Sequence, residues 1–249
     1  MVSGKYSALT GAITREMSIA NTSANLANVN TIGYKKNRMS FAAILDGEKQ
    51  TKETKGVNYN RVSGNYTDFS QGPLKNTDNP FDMAINGDGF FKIRTAEGDL
   101  LTRKGNFVVG DDGRLLTDSG KAVLSSGNSE IFIPTDRGTP IVVDKDGVLS
   151  IVDQNGQSTA IDQLAIVDVA DRSILQKKGD TAYALPPGTL EIPSENFSIV
   201  QGSVEVSNVN MTEEMTKMIR DNRLFQTYHN IFENYGKLGD KLSELGSLS

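Results

Sequence analysis

Residues 25–38 read NLANVNTIGYKKNR. Upstream, the chain is polar with a thin apolar stripe. Val2, Tyr6, Leu9, Ile13, Ala20, Ala24 and Ala27 recur at threes, fours and their multiples, one face of a helix. In the quoted stretch this pattern runs into Asn28, Asn30, Thr31 and Gly33, then Tyr34, then Lys35, Lys36 and Arg38. Short polar side chains bond to nearby backbone and compete with helix continuation, and glycine permits a left-handed turn at a helix end. The stretch therefore predicts a helix that stops near Ala27 and a corner at Gly33, with Tyr34 packing where the chain turns outward. At such a corner a β-branched residue is expected to be worse than alanine. Lys35, Lys36 and Arg38 read as a solvated turn, or as partners for an acidic neighbour. Made mostly of small residues and shared with Glu16, the stripe forms no core alone and needs a partner helix.

The other end supplies one. Leu224, Tyr228, Ile231, Tyr235, Leu238, Leu242 and Leu245 alternate steps of four and three, a heptad seam. Met211, Met215, Met218 and Phe225 form a second stripe offset by one position, which moves the seam around the helix. Asn210 is the expected cap, with Glu213 three residues on and Glu214 adding negative charge to the first turn. Gly236 and Gly239 lower the helix propensity of this segment.

Between the helices the texture changes. Residues 82–185 alternate apolar and polar and carry turn signals at NGDG (86–89), EGD (97–99), DDG (111–113), KDG (145–147) and NG (155–156). Asp-Gly and Asn-Gly supply the positive φ of tight hairpins, so an antiparallel β domain is expected. Residues 46–80, polar and only weakly strand-like at VNYNRV (57–62), read as part of an extended connector. The expected class is α+β: terminal helices forming a coiled-coil-like assembly domain, with an inserted antiparallel β domain of hairpins. The expected divisions are 1–34 for the N-terminal assembly helix and corner, 35–80 for the connector, 81–200 for the β domain and 201–249 for the C-terminal assembly helix.

Composition narrows the function. The 249 residues include no cysteine, so disulfides, thiol catalysis and zinc–thiolate sites are excluded, and one histidine, His229, argues against a triad or a His-rich metal site. A net charge of −5 argues against general nucleic-acid binding, and no apolar run is long enough to span a membrane. DKDG (144–147) and GDDG (110–113) open like calcium loops, but the twelfth positions are Asn155 and Ala122 rather than glutamate, so turns are expected there. NGDGFF lacks the third glycine and following helix of a nucleotide cradle. His229, beside the seam residue Tyr228, reads as a helix-flank residue.

Two exposed, heptad-like terminal helices make sense if subunits pack them together in a shared assembly. NLANVNTIGYKK, through Asn25, Leu26, Ala27, Asn28, Thr31, Gly33, Tyr34 and Lys35, resembles the signature near the N-terminus of bacterial flagellar rod and hook proteins. DMAINGDGFF, LTRKGNF and DGRLLT, between Asp82 and Thr117, are similar to the central β segment of that family. QGSVEVSNVNMTEEMTKMI, with Gln201, Gly202, Glu205, Ser207, Asn208, Val209, Asn210, Glu213, Glu214, Met218 and Ile219, is similar to its C-terminal helix entry. The resemblance runs end to end in the right order. It departs at 222–226, where NRLFQ stands for the usual Gln-Arg-Ala-Tyr-Glu.

The resemblance implies a structural subunit of the flagellar basal-body rod, not an enzyme and without a cofactor or metal. Length and the short connector favour the proximal over the distal rod subunit. The distal subunit and another secreted helical-filament subunit are the alternatives. The implied route is export through the flagellar type III apparatus without a cleaved signal peptide. Assembly then follows in the periplasmic space, with copies of itself and neighbouring rod proteins, into the shaft that carries torque from motor to hook. Neither nucleic acid nor membrane insertion is implied. The implied assembly motif is Asn25, Leu26, Asn28, Thr31, Gly33, Tyr34, Ser207, Asn208 and Asn210. The implied helix seam is Leu9, Ile13, Met211, Met215, Met218, Leu224, Tyr228, Ile231, Tyr235, Leu238, Leu242 and Leu245. A competing class, a β-rich carbohydrate-active enzyme, requires an acidic pocket with raised carboxyl pKa values.

Overall fold

A computed structural model describes residues 2–45, 58–134, 140–152 and 157–247, with the side chains of 2, 3, 41–45, 58–63, 239, 240 and 242–247 outside the description. The fold is α+β, with two long helices and antiparallel strands, arranged in two units. One comprises Met1–Ala27, Asn37–Asp68 and Val209–Ser249, the other Asn28–Lys36 and Phe69–Asn208. The chain passes between them four times, after Ala27, Lys36, Asp68 and Asn208.

The first unit holds α1 (Val2–Ala27), α2 (Met211–Ser247) and an antiparallel pair of strands, Asn37–Leu45 and Asn58–Thr67, whose register shifts between Ser40 and Phe41. The start of α2 follows its sequence signal. Asn210 Oδ1 accepts the backbone N–H of Thr212 at 3.0 Å and of Glu213 at 3.2 Å, satisfying two donors that a helix start leaves open.

The helices run antiparallel, and their contact positions advance by seven on each: Gly4 against Tyr235, Gly11 against Tyr228, Ser18 against Asp221, Asn25 against Glu214. A Cβ at Gly4 or Gly11 would come within 2.7 Å of a tyrosine side-chain atom, so each glycine is a notch that admits a ring. The face of α1 that is buried is small and polar, comprising Ala8, Thr14, Ser18, Thr22 and Asn25.

This corrects the expectation that the apolar stripes of the two helices meet. Tyr6, Leu9 and Ile13 are 54%, 39% and 45% exposed, and Ala20, Ala24 and Ala27 are exposed with them. The reason is volume: bulky rings on α2 fit closely only where α1 carries almost no side chain. The α2 seam divides accordingly. Tyr228 and Tyr235 turn toward α1 while Ile231 and Leu238 stay exposed. Leu224 and Met218 are half-buried, and the side chains of Leu242 and Leu245 lie outside the described residues.

The second unit is antiparallel β. Its largest sheet has nine strands among the described residues, built around Phe90–Thr95, which pairs with Gly98–Thr102, Ala122–Val123 and Ile166–Asp168. Successive strand residues point to opposite faces. Phe91 and Ile93 therefore join one core with Met83, Phe107, Leu115 and Leu149, while Phe90 joins another with Leu101, Val169 and Tyr183.

Three of the turn signals connect paired strands. EGD joins Phe90–Thr95 to Gly98–Thr102, DDG joins Phe107–Val109 to Leu115–Thr117, and KDG joins Ile141–Val143 to Val148–Val152. NGDG does not: Met83–Gly87 pairs with Phe197–Gln201, so this turn passes the chain between sheets. NG (155–156) lies outside the described residues. In DKDG, Asp144 Oδ1 accepts the N–H groups of Asp146 and Val148, so its acceptor is spent on the turn. Among the described residues no helix is long and apolar enough to cross a membrane.

Gly236 and Gly11 give opposite expectations. Gly236 in α2 has open space around its missing side chain, so Gly236→Ala should stabilise the helix pair by about 0.5–1 kcal/mol. Gly11→Ala gains the same propensity but pushes a methyl into the Tyr228 ring, and should lower stability. Thermal melts followed by circular dichroism at 222 nm, the helix signal, check both.

Candidate functional site: a buried carboxylate where three stretches meet

The three stretches that carry the family resemblance converge within the β unit on Glu205. Its strand, Ser203–Glu205, pairs with Leu74–Asn76, and the side chain is 1% exposed. Lys35 Nζ lies 2.6 Å from Oε1, and the backbone N–H of Gly72 donates to the same oxygen at 2.8 Å. Arg103 Nη1 donates to Oε2 at 3.2 Å. The Glu205 carbonyl accepts the N–H of Gly33 at 2.8 Å. One residue thus binds the corner segment, the LTRKGNF stretch and Gly72, just before the partner strand Leu74–Asn76.

Each partner is held in turn. Lys35 Nζ also donates to the carbonyl of Ser70 at 2.8 Å. Arg103 Nη2 donates to the carbonyl of Gly87 at 2.8 Å, tying down the NGDG turn, and its guanidinium lies 5.3 Å from the Phe90 ring centroid. Burial pulls the Lys35 ammonium below the usual lysine range, against Glu205, which raises it. The Arg103 guanidinium is lowered for the same reason and opposed by the same carboxylate. Lys35 is buried against an acidic partner, the second of the two readings of YKKNR, and is not a solvated turn residue. Lys36 is also buried, whereas Arg38, in the helical unit, meets Asp68 at 2.7 Å near the surface.

The corner itself is as expected at Gly33, which has φ +71°. Space is tighter than left-handed geometry alone demands. A Cβ there would sit 2.5 Å from the backbone N of Lys104 and 2.7 Å from the carbonyl carbon of Arg103, so even alanine collides with main chain. Thr31 donates through Oγ1 to Asn28 Oδ1 at 3.0 Å, and Tyr34 N donates to the Thr31 carbonyl at 3.3 Å. Tyr34 is buried, with Lys177 Nζ 4.1 Å from its ring centroid. Asn208 Oδ1 accepts the N–H of Lys36 at 2.7 Å and its amide donates to the Ser70 carbonyl at 3.0 Å. Ser207 is buried.

The remaining motif residues belong to the helical unit. Asn25 Oδ1 accepts the N–H of Asn37 at 2.9 Å, and its amide donates to the Asn37 carbonyl at 2.9 Å, as a second strand would. The same amide lies 3.3 Å from Glu214 Oε2. Glu214 stands in the first turn of α2, as expected, and is fully buried. Leu26 is half-buried, and Asn210 is the α2 cap.

Carboxyl chemistry points away from acid catalysis at the nearby Asp168. Burial raises its pKa, but the hydrogen bonds from Arg172 and the Val169 N–H, with the positive charges of Arg172 and Arg103, together leave Asp168 below the usual carboxylate range. Arg172 also bonds Asp88 at 2.6 Å, so these acids are spent on an ion pair. The arrangement holds backbone segments together rather than presenting a reacting group.

Removing the shared acceptor should cost more than removing one donor. Glu205→Ala leaves two buried cations facing each other and is expected to lose on the order of 3–5 kcal/mol, whereas Lys35→Met leaves Arg103 still paired and loses less. Gly33→Ala should already destabilise, and Gly33→Val more. Urea denaturation of the full chain ranks all four variants.

A family profile described as the flagellar hook protein FlgE/F/G D1 domain matches residues 84–151, and one described as the flagellar basal body rod FlgEFG protein C-terminal matches residues 200–245. The chain is similar to the flagellar basal-body rod protein FlgG of Bacillus subtilis, 32% identical over 98% of this chain and 99% of that protein. It is also similar to rod proteins named FlgF. That of Caulobacter vibrioides is 32% identical over 90% of each chain, and that of Mesorhizobium japonicum is 30% identical over 98% of each. At this identity and coverage, the chain belongs to the flagellar basal-body rod protein family.

Proposed function

We propose that this protein is a structural subunit of the bacterial flagellar rod, of the proximal FlgF type, that polymerises through its terminal helices. The observation that carries the reading is the outward apolar stripe. Tyr6, Leu9, Ile13 and Met17 on α1, and Met211, Met215, Ile219, Ile231 and Leu238 on α2, are all exposed. Exposed apolar rows on well-formed helices mark interaction sites. Helices of neighbouring copies seated on these rows form a coiled-coil-like layer, and contacts of this head-to-tail kind propagate into a helical filament. The motif around Glu205 then sets how the corner segment is fixed to the β unit of each subunit.

Length supports the FlgF type. The match to the Mesorhizobium FlgF spans 245 positions, whereas that to the Bacillus FlgG spans 263, more than the 249 residues of this chain. The family reading further implies export through the flagellar type III apparatus without cleavage, and assembly in the periplasm beside other rod proteins. An enzyme reading has no comparable support.

Substitutions on the stripe separate assembly from folding. Ile13→Asp and Leu238→Asp replace exposed side chains, so each should leave the stability of the isolated chain within about 0.5 kcal/mol. In an assembled layer the same charges are buried without partners, and rods should fail to form. Motility assays with electron microscopy of basal bodies decide it: normal rods in both variants would remove the stripe from the interface.

A further inference from the structure

We infer that Asp221 is the register key of the helix pair, selecting which turn of α2 lies against which turn of α1. The apolar part of the pair does not select it alone. The α2 seam repeats without a break from Leu224 to Leu245, and the α1 notches Gly4 and Gly11 are themselves seven residues apart. A slide of α2 by seven residues, about 10.5 Å along the axis, brings Tyr235 to Gly11, or Tyr228 to Gly4. Ring-in-notch packing survives in part at either slip.

The polar half of the pair removes this degeneracy. Asp221 is fully buried, with Oδ1 3.0 Å from Arg15 Nη1 and Oδ2 2.6 Å from Ser18 Oγ. One slip puts Asp221 against Gly11, which has no side-chain donor. The other puts it against Asn25 and brings Tyr228 onto Ser18. The slip onto Gly11 takes the carboxylate from the Ser18 hydroxyl, and the slip onto Asn25 carries it ten residues along α1 from Arg15. A charged contact placed inside the helix seam specifies register at a cost in stability, because a slip takes from the fully buried carboxylate a partner on α1 and leaves Arg220 of its own helix, 4.0 Å away, as the cation that moves with it. Asn25 with Glu214 adds a second polar layer one heptad further on. The inference concerns the pair within one chain, and holds whether or not the outer stripes polymerise.

The absence of cysteine makes the test direct. In the full-length chain, Gly11→Cys with Tyr228→Cys reports the observed register, and Gly11→Cys with Tyr235→Cys reports the slip of one heptad, the latter with Tyr228→Ala so that the new side chain at residue 11 meets no ring in the observed register. Each pair is oxidised in three backgrounds: unaltered, Arg15→Leu with Asp221→Leu, and Arg15→Lys. With Arg15 and Asp221 present, only the 11–228 disulfide should form. The double-leucine background keeps its helical signal but should raise the 11–235 product on the order of a hundredfold, to a yield comparable with 11–228. Arg15→Lys, which keeps the charge, should hold the slipped product down. A slipped product that stays rare in the double-leucine background overturns the inference, as does one already abundant in the unaltered chain. Loss of helix in the double-leucine background also overturns it, since rings and glycines are held here to sustain the pair by themselves.

Discussion

A single carboxylate, that of Glu205, receives an ammonium, a guanidinium and a backbone amide in a place from which water is excluded. Charges are expensive to bury, and two cations repel, so neither Lys35 nor Arg103 is tenable there without the acid between them. Because the three groups come from residue 35, residue 103 and residue 205, the cluster forms only when segments from both ends and the middle of the chain are in place. The NGDG turn, the Gly33 corner and the strand Ser203–Glu205 all hang from it.

Parts of this were legible in the sequence because they depend on local physics. The end of α1 near Ala27, the Asn210 cap, the left-handed Gly33 and most of the turns follow from backbone preferences of a few adjacent residues. The ion cluster was not legible, since Lys35 stands among Lys36 and Arg38 and its partner is 170 residues away. A charge run signals solvation unless something distant requires one of its members. Glu214 stands in the first turn of α2 as its sequence position implies, but its burial against Asn25 depends on a residue 189 positions away and has no local signal.

The packing of α1 failed to be legible for a different reason. Hydrophobic periodicity finds the face that wants to leave water, and assigns it to the nearest available partner. Here the intrachain contact is made instead by Gly4, Gly11, Ser18 and Asn25, because glycine and small polar residues allow close approach of tyrosine rings and buried hydrogen bonds. A helix with one polar seam and one apolar back has two addresses. The first is used within the chain, and the second is the stripe that remains exposed.

The pairing of α1 with α2 also constrains the order in which the chain acquires structure. The bond between Ser18 and Asp221 spans 203 residues, nearly the whole sequence. Closing so long a loop carries a large entropic cost, and contacts of such separation form slowly compared with hairpins whose strands are neighbours. The β unit, rich in short-range pairings such as Phe107–Val109 with Leu115–Thr117, can assemble from the middle of the chain. The seam of α1 has no partner until residues 214–235 are present. Its small polar face must therefore stay in water through most of the chain's folding.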